Sequence, residues 1–164
     1  MDQDKLARLR AKYDTASAGD VHGPPFRKGG ELPFSAPDPP HQPPEGIASF
    51  LDAPMLPDAA RTGEFGGIDV ALVGVPMDLG VTNRAGSRLG PRAVRQVERI
   101  GPYHHVHRLV PSAAVKVADI GDVPFRSRYS LADSHADIEA CFERIAAAGI
   151  APIAVGGDHS ISLP

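Results

Sequence analysis

The sequence predicts an α/β fold built on a parallel sheet. Three short apolar segments, at residues 68–76, 115–120 and 151–155, predict strands, and the first is typical of a strand buried on both faces. Two stretches with helical spacing of apolar residues separate them, at residues 91–103 and 130–149. A strand–helix–strand–helix–strand order favours parallel strands that are joined by right-handed crossovers.

The first strand and the helix after it have recognisable boundaries. IDVALVGVP at residues 68–76 is a continuous valine-rich run enclosed by glycine and proline. Pro91 stands where the first turn of a helix tolerates a missing amide hydrogen, and Gly101–Pro102 predicts the end of that helix. Three residues form the apolar stripe of this helix: Val94, Val97 and Ile100.

The second half of the chain repeats this pattern. VKVADI at residues 115–120 predicts the second strand, and Ser130 with Asp133 resembles a capping box at the start of the next helix. Gly149 predicts the end of that helix, and APIAV at residues 151–155 predicts the third strand. The apolar stripe of the helix has five members: Leu131, Ile138, Cys141, Phe142 and Ile145.

The domain organisation follows from these elements and from the prolines. Three strands with two covering helices leave an open edge and an uncovered face, so we expect residues 67–164 to be the first part of a larger domain. Residues 1–66 are predicted to form an amino-terminal helix and a proline-rich arm, since 10 of the 17 prolines lie between Pro24 and Pro57. Residues 19–44 fit a disordered tail equally well. Five apolar residues favour docking of the rest of the arm: Ile47, Phe50, Leu51, Met55 and Leu56.

Composition excludes several classes of protein. The formal charge of −3 predicts no nucleic-acid partner, because no face needs to be basic. The single cysteine, Cys141, excludes an intrachain disulfide, and its place on the helical stripe predicts a core residue. No apolar run approaches the roughly 20 residues that span a bilayer, and the charged amino terminus does not resemble a secretory signal. We therefore expect no membrane partner and a cytoplasmic location.

Three polar loops follow the predicted strands: GVPMDLGVTNRAGSRLGP, GDVPFRSRYS and GGDHS. Ligands of an open parallel sheet bind beyond the carboxyl ends of its strands. Because parallel strands end at the same edge, we expect all three loops to lie on one rim.

GGDHS, at residues 156–160, is the most informative loop. Gly156 and Gly157 allow a tight turn or a close backbone approach. Asp158 and His159 then project at the rim, where a neutral imidazole is a common metal ligand and a carboxylate can orient it. In the alternative, Asp158 caps the following turn and His159 is a surface residue. From composition alone that alternative is favoured, because one histidine is no metal site.

Three elements of the chain together resemble the ureohydrolase family, which comprises arginase, agmatinase and the guanidino-acid amidinohydrolases. They are GGDHSISLP, GVPMDLG with GSRLGPRAVR, and ADIGDV. The resemblance covers residues 46–164, and EGIASFLDAPM is similar to the arm of the agmatinase-like branch. It implies an arginase-like three-layer parallel sheet with helices on both faces, incomplete in this chain. It also implies two Mn²⁺ ions at the carboxyl ends of the strands.

The resemblance implies a role for two rim residues. His159 matches a metal ligand of the family, and Asp158 matches an aspartate that supports the site. The family draws its other ligands from an Asp-x-His-x-Asp segment and a later Asp-x-Asp segment, neither of which follows His159. This chain alone is therefore expected to be inactive.

The implied reaction is Mn²⁺-dependent hydrolysis of a guanidino compound to urea and an amine, by a homo-oligomer (trimer or hexamer) when intact. Agmatine is the default substrate. Guanidinobutanoate and guanidinopropanoate are close seconds, because Asn83, Arg84 and Arg88 of the first loop could face a carboxylate tail. Contacts between loops or subunits are the favoured alternative for these three residues. The alternative function is a non-catalytic α/β binding or assembly module.

The remaining polar residues have structural interpretations. Asp119 and Asp122 flank Gly121 and are expected in a turn or cap. Arg126 and Arg128 are expected to be surface charges. Three histidines after the Gly101–Pro102 stop are expected to be solvated or packing residues: His104, His105 and His107.

Overall fold

The computed structural model describes residues 3–13, 46–97, 104, 106–109 and 114–164. Its helices are α1 (Gln3–Tyr13), α2 (Ala59–Thr62), α3 (Gly90–Arg95) and α4 (Leu131–Ala147). Its strands are β1 (Val70–Val75), β2 (Val117–Asp122) and β3 (Ala151–Gly156). Three short 3₁₀ turns occupy Phe50–Asp52, Ser87–Leu89 and His159–Ser162.

The three strands form one parallel sheet in the order β2–β1–β3, which confirms the predicted fold class. Central β1 has a strand on each side in the described sheet, and it is buried because layers also pack on both of its faces. The first two strands begin two residues later than the apolar runs suggested. Asp69 explains this start, since its carboxylate accepts the Lys116 amide and its own amide donates to the Lys116 carbonyl just before the strands pair.

Helices cover both faces of β1. On one face, Val73 and Val75 pack with Ile138 of α4 and with Ala60 of α2. On the other face, Leu72 packs with residues of the arm, and α3 lies against β1 and β3. The expected layers on both sides of the sheet are therefore present.

Helix α4 follows its predicted pattern closely. The Ser130 hydroxyl accepts the Asp133 amide at 3.2 Å, which is the expected amino-terminal cap. Ile138, Cys141 and Ile145 are buried, whereas Leu131 is 39 % exposed and lies outside the stripe. Burial raises the pKa of the Cys141 thiol, against a smaller opposite effect of Arg144, so this cysteine is a protonated core residue as predicted.

Helix α3 departs from its prediction. It ends at Arg95, and Val94 and Val97 are 48 % and 62 % exposed instead of forming a buried stripe. Only Pro91 of this helix is buried. The predicted end at Gly101–Pro102 and Ile100 lie outside the described residues. Apolar residues do recur at helical spacing here, but no described part of the chain packs on them.

The second half of the arm docks on β2, as predicted. The Asp119 amide donates to the Pro54 carbonyl at 2.9 Å, and the Leu56 amide donates to the Asp119 carbonyl at 2.8 Å. Phe50 is buried, and Met55 and Leu56 are partly buried. Ile47 and Leu51 contradict the prediction, because they are 82 % and 53 % exposed. Most of the arm up to residue 45 lies outside the described residues.

A buried ion pair ties α3, the arm and β2 together. The Asp119 side chain is fully buried and receives Arg95 Nε at 2.7 Å and Nη2 at 2.9 Å, together with the Phe50 amide at 2.9 Å. Arg95 also donates to Asp122 at 2.7 Å, and its guanidinium lies 4.0 Å from the centre of the Phe50 ring. The Gly121 amide donates to Asp119, which is the expected turn role. The bonds of Asp119 and Asp122 to Arg95 go beyond that expectation.

Strand β3 forms an open edge. Ile153 is 52 % exposed, and residues 151–154 are all exposed. This confirms the predicted open edge, and the uncovered part of the described sheet is limited to β3. None of the described helices is long and apolar enough to cross a membrane.

We expect Asp119→Ala to lower the free energy of unfolding by about 3 kcal/mol, because Arg95 is left without its main partner inside the fold. Chemical denaturation followed by circular dichroism measures this value. Asp58→Ala is the matched control, since the Asp58–Arg61 pair lies on the surface, and we expect it to cost less than about 0.5 kcal/mol. Equal effects of the two variants would contradict the importance of the buried pair.

Candidate functional site

The carboxyl ends of the three strands lie on one edge of the sheet. Val75 at the end of β1 is paired with Gly156 of β3, and Gly74 is paired with Asp122 of β2. The polar loops after the strands therefore start from a common rim, as predicted. We call residues 76–90 the first rim loop and residues 123–130 the second.

The first rim loop is attached to the exit of β3. The Asp158 amide donates to the Met77 carbonyl at 3.0 Å, and the Gly80 amide donates to Asp158 Oδ2 at 2.8 Å. The loop comes back against β3 at Gly90, where a Cβ atom would lie 2.6 Å from the Gly156 carbonyl oxygen. These contacts join two segments that are far apart in sequence.

Gly157 makes the closest of these approaches possible. Its φ is +66°, and a Cβ atom there would lie 2.5 Å from the Val75 oxygen and 2.7 Å from the Met77 oxygen. No side chain fits between these backbones, and the left-handed conformation also favours glycine. The close backbone approach that the glycine pair predicted is confirmed.

Asp158 is buried and holds the loop and the following turn. Oδ1 accepts the Ser160 amide at 2.9 Å and the Ser160 hydroxyl, so Asp158 caps the turn His159–Ser162. None of its hydrogen bonds with described residues reaches the His159 ring. Burial acts to raise its pKa, but the hydrogen bonds from Ser160 and Gly80 outweigh burial and hold the pKa below the usual range.

His159 is exposed at the first position of this turn. Its Nδ1 lies 3.1 Å from the Ser162 hydroxyl oxygen, whereas Nε2 has no hydrogen-bond partner in the described part of the chain. Bonding of one ring nitrogen while the other stays open is the arrangement of a histidine metal ligand. It equally describes a surface histidine.

The described residues do not make a metal centre by themselves. No group of three or more His, Cys, Asp or Glu side chains among them is arranged to hold an ion. His159 supplies one donor of a type that transition metals accept, and the carboxylate of Asp158 is engaged with Gly80 and Ser160. The role of His159 as a metal ligand stays a prediction.

A segment with the Asp-x-His-x-Asp pattern is a candidate source of metal ligands only when it follows His159 in the chain. Asp133, His135 and Asp137 repeat the pattern Asp-x-His-x-Asp, but they precede His159 and lie within α4. In a helix, residues two apart point in nearly opposite directions. Asp137 accepts bonds from the Arg126 backbone and side chain. This segment is part of the helix packing.

Asn83 and Arg84 lie together at the exposed tip of the first rim loop. Neither side chain has a hydrogen bond or an ion pair with any described residue. Arg88 differs, because it pairs with Asp78 inside the same loop. Arg88 is therefore bonded within its own loop, while Asn83 and Arg84 stay predicted substrate-binding residues.

Asp78 was missed by the sequence analysis. Its Oδ2 accepts the Gly86 amide at 2.8 Å and bonds Arg88. The Gly86 bond, with help from Arg88 and against some desolvation, lowers the pKa of Asp78. An aspartate just beyond a buried strand is a common loop-bonding residue, which is the signal that could have found it.

Among the described residues, the second rim loop has hydrogen bonds to α4 and none to the first rim loop. Arg126 is exposed, as expected of a surface charge, but it also donates its backbone amide and its guanidinium to the buried Asp137. Arg128 is exposed, as predicted. Elsewhere, His104 and His107 are exposed and their rings stack at 4.7 Å, which confirms solvated histidines, and His105 lies outside the described residues.

Comparison with known proteins decides the family. Residues 68–164 match the model of the arginase family. The chain belongs to the arginase family.

Named relatives agree with this assignment. Over 120 residues the chain is 42 % identical to the guanidinopropionase of Pseudomonas aeruginosa, covering 73 % of this chain and 36 % of the relative. It is 37 % identical over 122 residues to the human mitochondrial guanidino acid hydrolase, covering 74 % and 33 %. It is 38 % identical over 122 residues to the mitochondrial agmatinase of Gallus gallus, covering 74 % and 34 %. The chain thus spans about a third of the length of these relatives.

Solved structures confirm the arginase-like fold. A hypothetical agmatinase from Burkholderia thailandensis superposes with a TM-score of 0.57 at 28 % identity, covering 73 % of this chain and 36 % of that one. The proclavaminate amidino hydrolase of Streptomyces clavuligerus has a TM-score of 0.59 at 24 % identity, covering 73 % and 38 %. The formiminoglutamase of Trypanosoma cruzi, solved with two Mn²⁺ ions, has a TM-score of 0.50 at 22 % identity, covering 67 % and 37 %.

The rim of this arginase-family chain should lose stability in acid. Because the pKa of Asp158 is lower in the folded than in the unfolded state, its contribution is complete above about pH 4, the ordinary aspartate value, and disappears as the pH falls through the lowered pKa. We expect Asp158→Asn to reduce the fall in the free energy of unfolding between pH 5 and pH 3. Denaturation curves at the two pH values give this free energy. A fall as large in Asp158→Asn as in the unmodified chain would refute the prediction.

Proposed function

We propose that this chain is the amino-terminal part of an arginase-family enzyme that hydrolyses a guanidino compound to urea and an amine. The observation that carries the proposal is His159, exposed with an open Nε2 at the exit of β3, in a segment that matches the family model. The names of the relatives, guanidinopropionase, guanidino acid hydrolase and agmatinase, support the same reaction. We call the polypeptide that continues this chain to the length of its relatives the full-length protein.

The chemical difficulty of the reaction explains what the site must provide. A guanidinium group is cationic and stabilised by resonance, so it is a poor electrophile. Two bound Mn²⁺ ions would supply a hydroxide near neutral pH, because a metal lowers the pKa of a bound water. The Mn²⁺ ions in the formiminoglutamase structure support this choice of metal.

Within this proposal, each rim residue has a defined task. His159 is one metal ligand, and the remaining ligands come from sequence that this chain does not contain. Asp158 keeps the turn His159–Ser162 in place and attaches it to the first rim loop. Gly157 lets the two segments meet without a side chain between them.

A substrate with a carboxylate tail is favoured over agmatine. Arg84 is an exposed guanidinium at the tip of the first rim loop, and it has no partner among the described residues. Such a group attracts the carboxylate of guanidinopropanoate or guanidinobutanoate and repels the ammonium group of agmatine. Agmatine stays the second candidate, because an agmatinase is among the relatives of similar identity.

A non-catalytic binding or assembly module is the alternative function. What favours it is that the described residues offer no group of three metal-ligating side chains. Under this alternative, neither the chain nor the full-length protein releases urea.

The first test compares urea release by the 164-residue chain and by the full-length protein, with and without Mn²⁺. We expect urea only from the full-length protein, and only when Mn²⁺ is present. His159→Ala should lower bound manganese and turnover together, because it removes one ligand. His107→Ala is the control, since it removes an exposed histidine of the turn at residues 106–108. Full manganese content and turnover in His159→Ala would refute the assignment.

The second test addresses the substrate. In the full-length protein, Arg84→Ala should raise KM for guanidinobutanoate or guanidinopropanoate about tenfold, which corresponds to one charge-assisted hydrogen bond. KM for agmatine should stay the same or fall. Arg61→Ala, which removes an exposed arginine of α2, is the control. A preference of the unmodified protein for agmatine would overturn the carboxylate-tail proposal.

A further inference from the structure

The tip of the first rim loop is held at both of its ends. Residues 82–85 are exposed and include Arg84, whereas Gly80 and Gly86 on either side are partly buried. The Gly80 amide donates to Asp158 at 2.8 Å, and the Gly86 amide donates to Asp78 at 2.8 Å. A carboxylate thus fixes each end of the exposed segment.

Asp78 closes the loop from within. It accepts the amide of a residue eight positions later in the chain, and its side chain is only 12 % exposed. It also bonds the guanidinium of Arg88, just beyond the tip. Two donors on the far side of the tip therefore converge on one oxygen, and the ring that they close contains Arg84.

The other carboxylate is not equivalent to Asp78. Asp158 attaches the near end of the tip to the turn that contains His159, so it holds the loop against the exit of β3. Asp78 fixes the far end of the tip relative to the near end. Without Asp78, the near end would still be attached at Gly80 and the loop would still return to β3 at Gly90, while the segment between them would be released.

We propose that Asp78 is a positioning residue that holds Arg84 at a defined place on the rim and thereby favours guanidino substrates with a carboxylate tail. The substrate-selecting part of this inference rests on the proposed function. A charge fixed before binding loses little conformational entropy when the carboxylate arrives, whereas a charge on a free loop must be ordered during binding. Loss of Asp78 should therefore weaken binding of the tail and leave the reacting centre unaffected.

Limited proteolysis of the 164-residue chain tests the positioning itself. Trypsin cleaves after Arg84 only when the tip opens locally, so Asp78→Ala should speed cleavage there about tenfold. Cleavage after Arg128, an exposed residue of the second rim loop, provides the internal reference in each digest. Asp58→Ala, which removes an exposed carboxylate of another ion pair, should leave the ratio of the two rates unchanged. An unchanged ratio in Asp78→Ala would overturn the positioning role.

Two milder variants distinguish the loss of the Asp78 bonds from general misfolding. Asp78→Asn keeps an acceptor for the Gly86 amide but loses the charge that Arg88 needs, and Arg88→Ala removes only the ion pair. We expect both to speed cleavage after Arg84 by less than Asp78→Ala does, with circular dichroism spectra like that of the unmodified chain. If both cleave as slowly as the unmodified chain while Asp78→Ala is unfolded, the proposal is wrong.

Kinetics of the full-length protein test the selection of substrate. Asp78→Ala should raise KM for the guanidino acid about tenfold, with kcat and the KM for agmatine changed less than twofold. In an Arg84→Ala background, the same substitution should have no further effect on KM, because Asp78 acts through Arg84. Additive effects, or a fall in kcat instead of a rise in KM, would refute the inference.

Failure of the proposed function and failure of the inference about Asp78 give different experimental results. If the full-length protein releases no urea from any guanidino compound, the proposed function is wrong, and the proteolysis ratio still decides whether Asp78 holds the tip. If urea is released but Asp78→Ala has the selectivity of the unmodified protein, the proposed function stands and the inference about Asp78 falls.

Discussion

The buried carboxylate of Asp119 joins three parts of the chain that are distant in sequence. It accepts two bonds from Arg95 of α3 and one from the Phe50 amide, while its backbone pairs with Pro54 and Leu56. A buried charge is tolerated only when it is paired and hydrogen-bonded. Strand β2 can therefore carry Asp119 inside the fold only when α3 and the docked arm are both in place. The layer on this face of the sheet depends on that one ion pair.

The rim depends on a second constraint, which is the close contact between the first rim loop and the exit of β3. Gly157 removes the side chain that would separate the two backbones, and Asp158 supplies the bonds that hold them together. As a result, the turn that begins at His159 and the loop that carries Arg84 form one connected unit. In the function that we propose, this unit brings a metal-binding imidazole and a substrate-selecting guanidinium to the same edge of the sheet.

Much of the fold was predictable, because hydrophobic spacing reports burial within single elements. The strands and the buried stripe of α4 were found in this way, and the capping pattern of Ser130 with Asp133 marked the start of that helix. The failures occurred where burial depends on a partner layer. Val94 and Val97 have helical spacing and yet are exposed, since no described segment covers α3 there. The open edge was predicted, and the structure shows that β3 forms it.

The sequence by itself determined the kinds of elements, their order, the edge at which the polar loops meet and the motifs that mark the arginase family. It could not distinguish the tasks of three aspartates near strand ends. Asp119 holds an arginine inside the fold, Asp158 links a loop to a turn, and Asp78 closes the loop that carries Arg84. Hydrogen bonds depend on distances and angles between atoms that are far apart along the chain. Only the tertiary structure brings each of these carboxylates to its partners, and so only the tertiary structure decides what each one does.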